Sequence, residues 1–121
     1  MVEEPIRSDD IAGYKRLTKE MGSIRVAGIE SEQGLSRFGE LIAQDAMDVV
    51  QASLGWAGGF TVCKNIATLA HAFDKLYTPH SFFSAVMTAA NIQLAASQVN
   101  IPFIEAEENE NPLRTELLKE P

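Results

Sequence analysis

Five side chains whose types suit metal or acid–base chemistry follow apolar segments of this sequence at nearly regular intervals. They are three glutamates, a serine and a histidine: Glu3, Glu30, Ser53, His80 and Glu105. Their spacing of about 23 to 27 residues is close to the roughly 25–30 residues of one strand-plus-helix unit. The spacing therefore predicts that these side chains recur once per unit and lie on the same face of a sheet.

Metal binding and proton transfer are the chemistry that this set offers. Glu3 and Glu30 supply the hard oxygen ligands that Mg²⁺ takes, with waters completing its shell. His80 can act as a general acid or base near neutral pH, and Glu105 can donate to or orient a substrate oxygen. Taken singly, each acidic residue also fits a solvated loop, and His80 fits a turn after Pro79. The hypothesis therefore depends on all five residues recurring at nearly the same interval.

Helices are predicted between these positions from apolar residues at helical spacing. The first begins at the N-cap Ser8 and ends at Gly22, since Ser is a good cap and Gly readily follows a helix. The others are predicted by the stripe Leu35, Phe38, Leu41 and Ile42, by Ile66, Leu69, Ala70 and Phe73 after Gly58 and Gly59, and by an alanine-rich run from about Phe82 to Ser97.

Short apolar strands alternate with these helices. After a truncated leading strand that ends near Glu3, the predicted strands are Ile24–Ala27, Met47–Gln51, Leu76–Thr78 and Ile101–Ile104. Apolar strands separated by amphipathic helices are typical of a parallel sheet covered by helices. The fold class is therefore α/β, and doubly wound sheets and (β/α) barrels share the pattern.

The composition favours one acidic globular unit. The chain has 121 residues, 45% of them hydrophobic, and a formal net charge of −7, which disfavours nucleic acid and anionic membranes as partners. The single cysteine, Cys63, excludes an internal disulfide and suits a cytoplasmic location. We expect residues 1–106 to form the barrel region and residues 107–121 an acidic tail with a helical turn at Leu113–Leu118.

Ordered local motifs then resemble a known family. They run along nearly the whole chain: Glu3-Glu4-Pro5, Ala27-Gly28-Ile29-Glu30-Ser31, Asp48-Val49-Val50-Gln51, Gly58-Gly59, Pro79-His80-Ser81-Phe82, Ile104-Glu105 and Asn111-Pro112-Leu113-Arg114. Their order and spacing are similar to the C-terminal barrel region of the mandelate racemase/muconate lactonizing enzyme family of the enolase superfamily. The resemblance implies parallel βα repeats that form about half of a TIM-like barrel.

The resemblance also implies roles. In that family Mg²⁺ holds a substrate carboxylate while a side chain removes the proton beside it, as in racemases and dehydratases of hydroxy or sugar acids. Glu3 and Glu30 match metal ligands, His80 matches the acid/base on the seventh strand, and Glu105 matches a hydrogen-bond donor to the substrate. Glu4 is expected to point away from Glu3, because neighbouring side chains of a strand alternate.

Two departures from the family pattern bear on activity. The aspartate that pairs with the family's histidine is replaced here by Ser53, which can fix an imidazole tautomer but carries no charge. The family's N-terminal capping domain, its Lys-x-Lys base and its first metal-binding aspartate precede the part that this chain resembles. We expect Mg²⁺ to bind weakly or not at all to the isolated chain.

Aromatic residues near the candidate site receive a structural interpretation. Trp56 fits either the mouth of a pocket or a cover over the core, and Phe82 and Phe83 are expected to pack.

The alternative to an enzyme portion is a catalytically silent half-barrel that self-associates. In either case we expect a homo-oligomer, most simply a dimer, because a half-barrel leaves two sheet edges open and exposes Val26, Val49, Leu76 or their neighbours on its inner face.

Overall fold

The computed structural model describes residues 1–117 and 119, and its strands and helices alternate along the chain. The strands are β1 (Val2–Glu3), β2 (Val26–Gly28), β3 (Val49–Val50) and β4 (Leu76–Tyr77). The helices are α1 (Ile11–Glu20), α2 (Leu35–Ala43), α3 (Gly59–Ala72), α4 (Ala85–Ala96) and α5 (Pro112–Thr115). The predicted α/β alternation is confirmed, although the strands are shorter than the apolar runs from which they were predicted.

Helix α1 shows how local sequence sets an element's limits. Its N-cap is Asp10 and not the predicted Ser8, since the Asp10 carboxylate accepts a hydrogen bond from the Gly13 N–H at 2.8 Å. The helix buries Tyr14 completely. It ends where predicted, because Gly22 adopts a φ of 60° beyond the last turn.

The order of the strands distinguishes between the two folds that the alternation allowed. All neighbouring strands are parallel and the order is β1-β2-β3-β4, with Val2 beside Val26, Ala27 beside Val49 and Val50 beside Tyr77. A doubly wound sheet reverses its strand order at a switch point, whereas each strand of a (β/α) barrel lies beside the next in sequence. The described strands follow the barrel order.

The predicted strand Ile101–Ile104 is wrong as a strand, although the segment lies beside β4. The Tyr77 N–H donates to the Asn100 carbonyl at 3.0 Å. In a parallel ladder the return hydrogen bond would come from the residue two positions further along, which is Pro102. Because proline has no N–H, the ladder stops after one bond.

Strands β2 and β3 are buried on both faces. Val26 and Ala27 are fully buried, and Val49 and Val50 are at most 1% exposed. The expectation of an exposed inner face at Val26 and Val49 is therefore wrong, because alternating side chains of each strand are covered by this chain itself. The core also takes in residues from the helices, among them Tyr14, Phe38, Leu41, Ile42, Cys63, Ile66 and Leu94.

The last described segment carries the short helix α5, which overlaps the helical turn predicted at Leu113–Leu118 and begins one residue earlier; Leu118 lies outside the described residues. Asn111 caps α5 by accepting from the Leu113 N–H at 3.0 Å. Its side-chain amide also donates to the Phe83 carbonyl at 2.6 Å, which ties this segment to the loop before α4. Within residues 1–117 and 119, no helix is both long enough and apolar enough to cross a bilayer.

Candidate functional site

Side chains from distant strands converge at the carboxyl ends of the sheet. One donor atom each from Glu3, His80 and Glu105 lies within 4.8 Å of the others. Glu3 is on β1 and His80 follows β4, so three strand spacings, or roughly 14 Å in a flat sheet, separate their strands. The sheet must therefore curve so that these residues face a common concave side, as predicted from their spacing in sequence.

His80 lies between two carboxylates. Its Nδ1 is 2.8 Å from Glu30 Oε2 and 3.3 Å from Glu105 Oε2. The histidine side chain is 12% exposed, while the side chains of Glu30 and Glu105 are 27% and 21% exposed. The site thus holds a mostly buried imidazole in contact with charge from two different strand ends.

Glu105 is fixed by hydrogen bonds on both carboxylate oxygens. The Gln51 side-chain amide donates to Oε1 at 2.7 Å, and the Ser81 N–H donates to Oε2 at 2.8 Å. Burial by itself would raise the pKa of Glu105, but the hydrogen bonds from His80, Ser81 and Gln51 outweigh burial and lower that pKa. Glu105 thus accepts hydrogen bonds on both of its carboxylate oxygens, and the donor role toward a substrate that the family resemblance implied stays a prediction.

The pKa values of His80 and Glu30 are both raised, for different reasons. The hydrogen bond with Glu105 raises the pKa of His80 against the effect of burial, and the charges of Glu30, Glu105 and Glu3 add to the rise. Burial raises the pKa of Glu30, and the other glutamates raise it further, although His80 opposes them. His80 is therefore held toward its protonated form, with Glu30 as the more readily protonated of its two partners.

Ser53 is placed differently from its predicted role. It is fully buried after β3, and its hydroxyl accepts a hydrogen bond from the Gly55 N–H at 3.2 Å. In the described part of the chain this hydroxyl is bonded to the turn and not to His80. The charge that a serine cannot give the imidazole comes instead from Glu30 and Glu105.

Glu4 and its surroundings were not identified as functional from the sequence. Glu4 is not part of the converging group of Glu3, His80 and Glu105. Its Oε1 accepts a hydrogen bond from the Ile29 N–H at 3.0 Å. Both residues have positive φ, 37° for Glu4 and 68° for Ile29, which is costly for non-glycine residues and most of all for a β-branched one. The strained residues flank Glu3 and Glu30, so this hydrogen bond couples the two strand ends that carry the predicted metal ligands.

A cavity of about 510 Å³ opens beside the imidazole. Glu30, Ser31, Gln33 and His80 form its polar side, and Trp56, Phe82 and Phe83 form its aromatic side. Trp56 therefore lines the pocket, as one of its two interpretations proposed. The two phenylalanines also line it and do not serve packing alone.

Comparisons with known proteins agree with this geometry. The family description "Enolase C-terminal domain-like" matches residues 1–121. The chain belongs to this family, which confirms the resemblance found in its motifs. The parallel sheet with sequential strand order agrees with this assignment.

The individual relatives are enzymes of sugar-acid metabolism. The chain is 30% identical over 118 residues to an arabinonate dehydratase of Saccharolobus solfataricus, covering 98% of this chain and 31% of that protein. It is 32% identical over 127 residues to a D-galactarolactone cycloisomerase of Agrobacterium fabrum, covering 98% of this chain and 33% of that one. The solved 3,6-anhydro-D-galactonate cycloisomerase of Zobellia galactanivorans superimposes with a TM-score of 0.88 at 35% identity, covering 94% of this chain and 32% of that structure. The chain thus spans about a third of the length of these relatives.

The donor atoms at the strand ends suit a hard divalent cation. Glu3, Glu30 and Glu105 supply carboxylate oxygens, the ligand type that Mg²⁺ prefers. Burial is the main cause of the raised pKa of Glu30, and the charges of Glu4, Glu105 and Glu3 add a repulsion that a cation would relieve. The carboxylates of Glu3 and Glu105 therefore suit a magnesium ion, with His80 as the third donor of the converging group. Glu30, the second ligand expected from the sequence, lies outside that group and contacts His80 at 2.8 Å.

Proposed function

We propose that this chain forms the acid/base and metal-binding portion of a magnesium-dependent dehydratase or cycloisomerase of sugar acids. The observation that carries the proposal is His80, held between Glu30 and Glu105 at the edge of a cavity at the strand ends. The relatives' activities support the substrate class. The reaction class is proton transfer at the carbon next to a carboxylate.

Charge supports a role for the metal. Three glutamates and one imidazolium give the site a net negative charge, which repels a substrate carboxylate. Bound Mg²⁺ supplies the counter-charge for that carboxylate and for the charge that develops on it during proton removal. Glu3 and Glu30 would hold the ion.

His80 is the group that moves a proton in this proposal. Its raised pKa keeps the imidazole protonated over a wider range of pH, so it suits delivery of a proton better than removal of one. Glu105 holds the ring by its contact with Nδ1, and Gln51 and Ser81 hold Glu105. A histidine acting as an acid on a departing hydroxyl or a developing carbanion matches both reaction types.

Metal binding provides the direct test. We expect titration calorimetry with Mg²⁺ to show one weak site, because two carboxylates plus water make an incomplete set. That site should disappear in the Glu3→Ala and Glu30→Ala variants, while Glu116→Ala, which removes an exposed glutamate of the last segment, should leave it unchanged. Tight binding that survives Glu30→Ala would show the ligand assignment to be wrong.

Turnover is expected only when the complementary part of a relative is supplied. The isolated chain with Mg²⁺ should not convert arabinonate, galactonate, galactarate or mandelate. Adding the N-terminal region of a related dehydratase should restore a rate that His80→Asn abolishes. A His80-dependent rate from the isolated chain would contradict the first expectation. A complemented rate that is unchanged by His80→Asn would exclude His80 as the proposed acid.

A further inference from the structure

Three aromatic side chains border the cavity without contributing to its acid–base chemistry. Trp56 is 52% exposed and Phe82 is 60% exposed, which makes them the two most exposed of the Phe, Trp and Tyr side chains that the structure describes. They line the same cavity as Glu30 and His80, and the Phe82 ring lies beside the imidazole. Their exposure faces the space where a substrate of His80 would bind.

The aromatic side is held in place by this chain. The Phe82 ring lies 6.4 Å from the His80 ring at an interplanar angle of 18°, and Phe83 meets the same imidazole edge-on at 6.2 Å. Phe83 also meets Trp56 at 6.4 Å. Asn111 bonds the Phe83 carbonyl at 2.6 Å and fixes the loop from behind. The rings therefore form a preorganised surface.

A close approach at Gly55 fixes the other end of this surface. A Cβ atom at Gly55 would lie 3.2 Å from the Met87 methyl and 3.3 Å from the Phe83 ring. The turn that carries Trp56 thus packs directly against Phe83, and a side chain at Gly55 would require these neighbours to shift. Two separate loops, after β3 and after β4, are joined at this contact.

We infer that this surface binds the ring face of a cyclic sugar acid, in preference to an open-chain one. A closed sugar ring presents several C–H groups on one face, and these complement the electron-rich face of an aromatic ring. An open-chain acid carries its hydroxyl groups all around the chain and offers no such face. Together the polar and aromatic sides place a carboxylate near His80 and a ring face over Trp56 and Phe82. The inference rests on the proposed function and specifies its substrate class.

Tryptophan fluorescence provides the test, because Trp56 is the only tryptophan of the chain. The probes are the methyl glycoside of D-galacturonic acid, whose ring cannot open, and D-galactonate, an open-chain acid of the same backbone length, each titrated with Mg²⁺ present. We expect the glycoside to bind at least threefold more tightly, since an aromatic contact contributes roughly a threefold to tenfold difference in affinity. Calorimetry of the same titrations checks the values independently of the fluorophore.

Variants separate the aromatic contact from general effects on the fold. Phe82→Leu should remove the preference for the ring and leave binding of galactonate within about twofold. Phe73→Leu is the matched control, because Phe73 is 47% exposed at the end of α3 and does not line the cavity. It should keep the wild-type preference.

Each remaining outcome counts against the inference. Equal affinity for both acids would overturn it while leaving a carboxylate-binding site in place. A preference that Phe82→Leu retains would show that the aromatic surface is not its source. Absence of binding by either acid would overturn the inference together with the proposed function. Methyl galactoside, which lacks the carboxylate, should bind more weakly than the galacturonide, and equal binding would contradict the placement of the carboxylate.

Discussion

The two carboxylates that contact His80 have pKa values shifted in opposite directions. Glu105 has its pKa lowered by hydrogen bonds from three groups despite burial, whereas burial and neighbouring charge raise the pKa of Glu30. Such opposed environments distinguish a group that stays ionised from one that readily takes up a proton. His80 Nδ1 contacts both of these carboxylates, at 2.8 Å from Glu30 and 3.3 Å from Glu105.

The His80–Glu105 contact predicts a pH dependence of stability. A histidine with a raised folded pKa contributes stability that is present in full below its ordinary value of 6.5 and is lost as the pH rises through the folded value. The Glu105 contribution is present above its ordinary value of 4.5 and is lost as the pH falls through its lowered folded value. The pair should stabilise the chain most between these limits.

Urea unfolding of wild type and His80→Gln from acid to alkaline pH measures the effect. We expect the difference in unfolding free energy to be largest below the ordinary histidine pKa and to decline toward alkaline pH. Glu105→Gln should flatten that decline, because it removes the charge while keeping the size of the side chain. A difference that stays constant from acid to alkaline pH would contradict a raised His80 pKa.

Glu4 predicts a second effect at the residue scale. Glu4→Ala leaves the N–H of fully buried Ile29 without its acceptor, and an unsatisfied buried donor costs about 1–3 kcal/mol. Glu4→Gln retains a carbonyl oxygen at the same position and should cost less than half as much. Urea unfolding gives the two free energies, and hydrogen exchange at the Ile29 amide should accelerate only in Glu4→Ala. Equal losses in both variants would indicate that charge, and not the hydrogen bond, explains the effect.

The strand ends were predictable from sequence because one feature repeats. Side chains that come once per βα unit reach the same edge of a parallel sheet, so Glu3, His80 and Glu105 were expected to meet, and they do. The hydrogen bond from Gly55 to Ser53 and the bond from Ile29 to Glu4 depend on backbone angles that residue types do not reveal. The sequence therefore predicts which residues form the site, but not the hydrogen bonds that hold them in place.

At the scale of elements, the two errors come from residues that break a regular pattern. The apolar run Ile101–Ile104 predicts a strand, but Pro102 removes the donor that the ladder needs. Ser8 is a good helix cap by type, but Asp10 reaches the Gly13 N–H. Apolar runs and periodicity predict where an element lies, whereas single hydrogen bonds decide where it ends.

Two glycines of positive φ, Gly28 at the end of β2 and Gly22 after α1, should respond differently to substitution. A Cβ at Gly28, whose φ is 147°, would lie 2.7 Å from the Tyr14 hydroxyl and 3.0 Å from Glu4 Cγ. Gly22, with a φ of 60°, has open space around it. Gly22→Ala should therefore cost about 1–2 kcal/mol from backbone strain alone, and Gly28→Ala about 1–3 kcal/mol more from overpacking.

Thermal and urea unfolding of both variants measure this contrast. The ordering is the critical result, because both substitutions add the same methyl group at a left-handed position. Equal costs would mean that Tyr14 and Glu4 move aside without penalty. Gly28→Ala should also accelerate exchange of the Ile29 amide, whereas Gly22→Ala should leave that amide unchanged.

At the scale of the whole molecule, the open edges of the sheet remain as the reason to expect association. On one side, β1 pairs only with β2 among the described strands, and on the other the segment from Ile101 to Ile104 follows β4 with a single ladder bond. The inner strands give no such reason, since Val26 and Val49 are buried in one copy. Unpaired edges favour pairing with another chain.

We propose a two-fold homodimer in which each copy covers the other's open edges, because a two-fold interface uses the same surface on both copies. Phe103 is 46% exposed in the edge segment beside β4. A lysine at such an edge discourages pairing by placing a charge where a second strand would pack. Phe103→Lys should therefore shift the chain toward the monomer mass in light scattering at micromolar concentration. Phe73→Lys changes an equally exposed phenylalanine, 47%, at the end of α3 and should leave the dimer intact. A wild-type chain that stays monomeric and well folded throughout that concentration range would refute the dimer, and equal dissociation in both variants would place its interface away from the sheet edge.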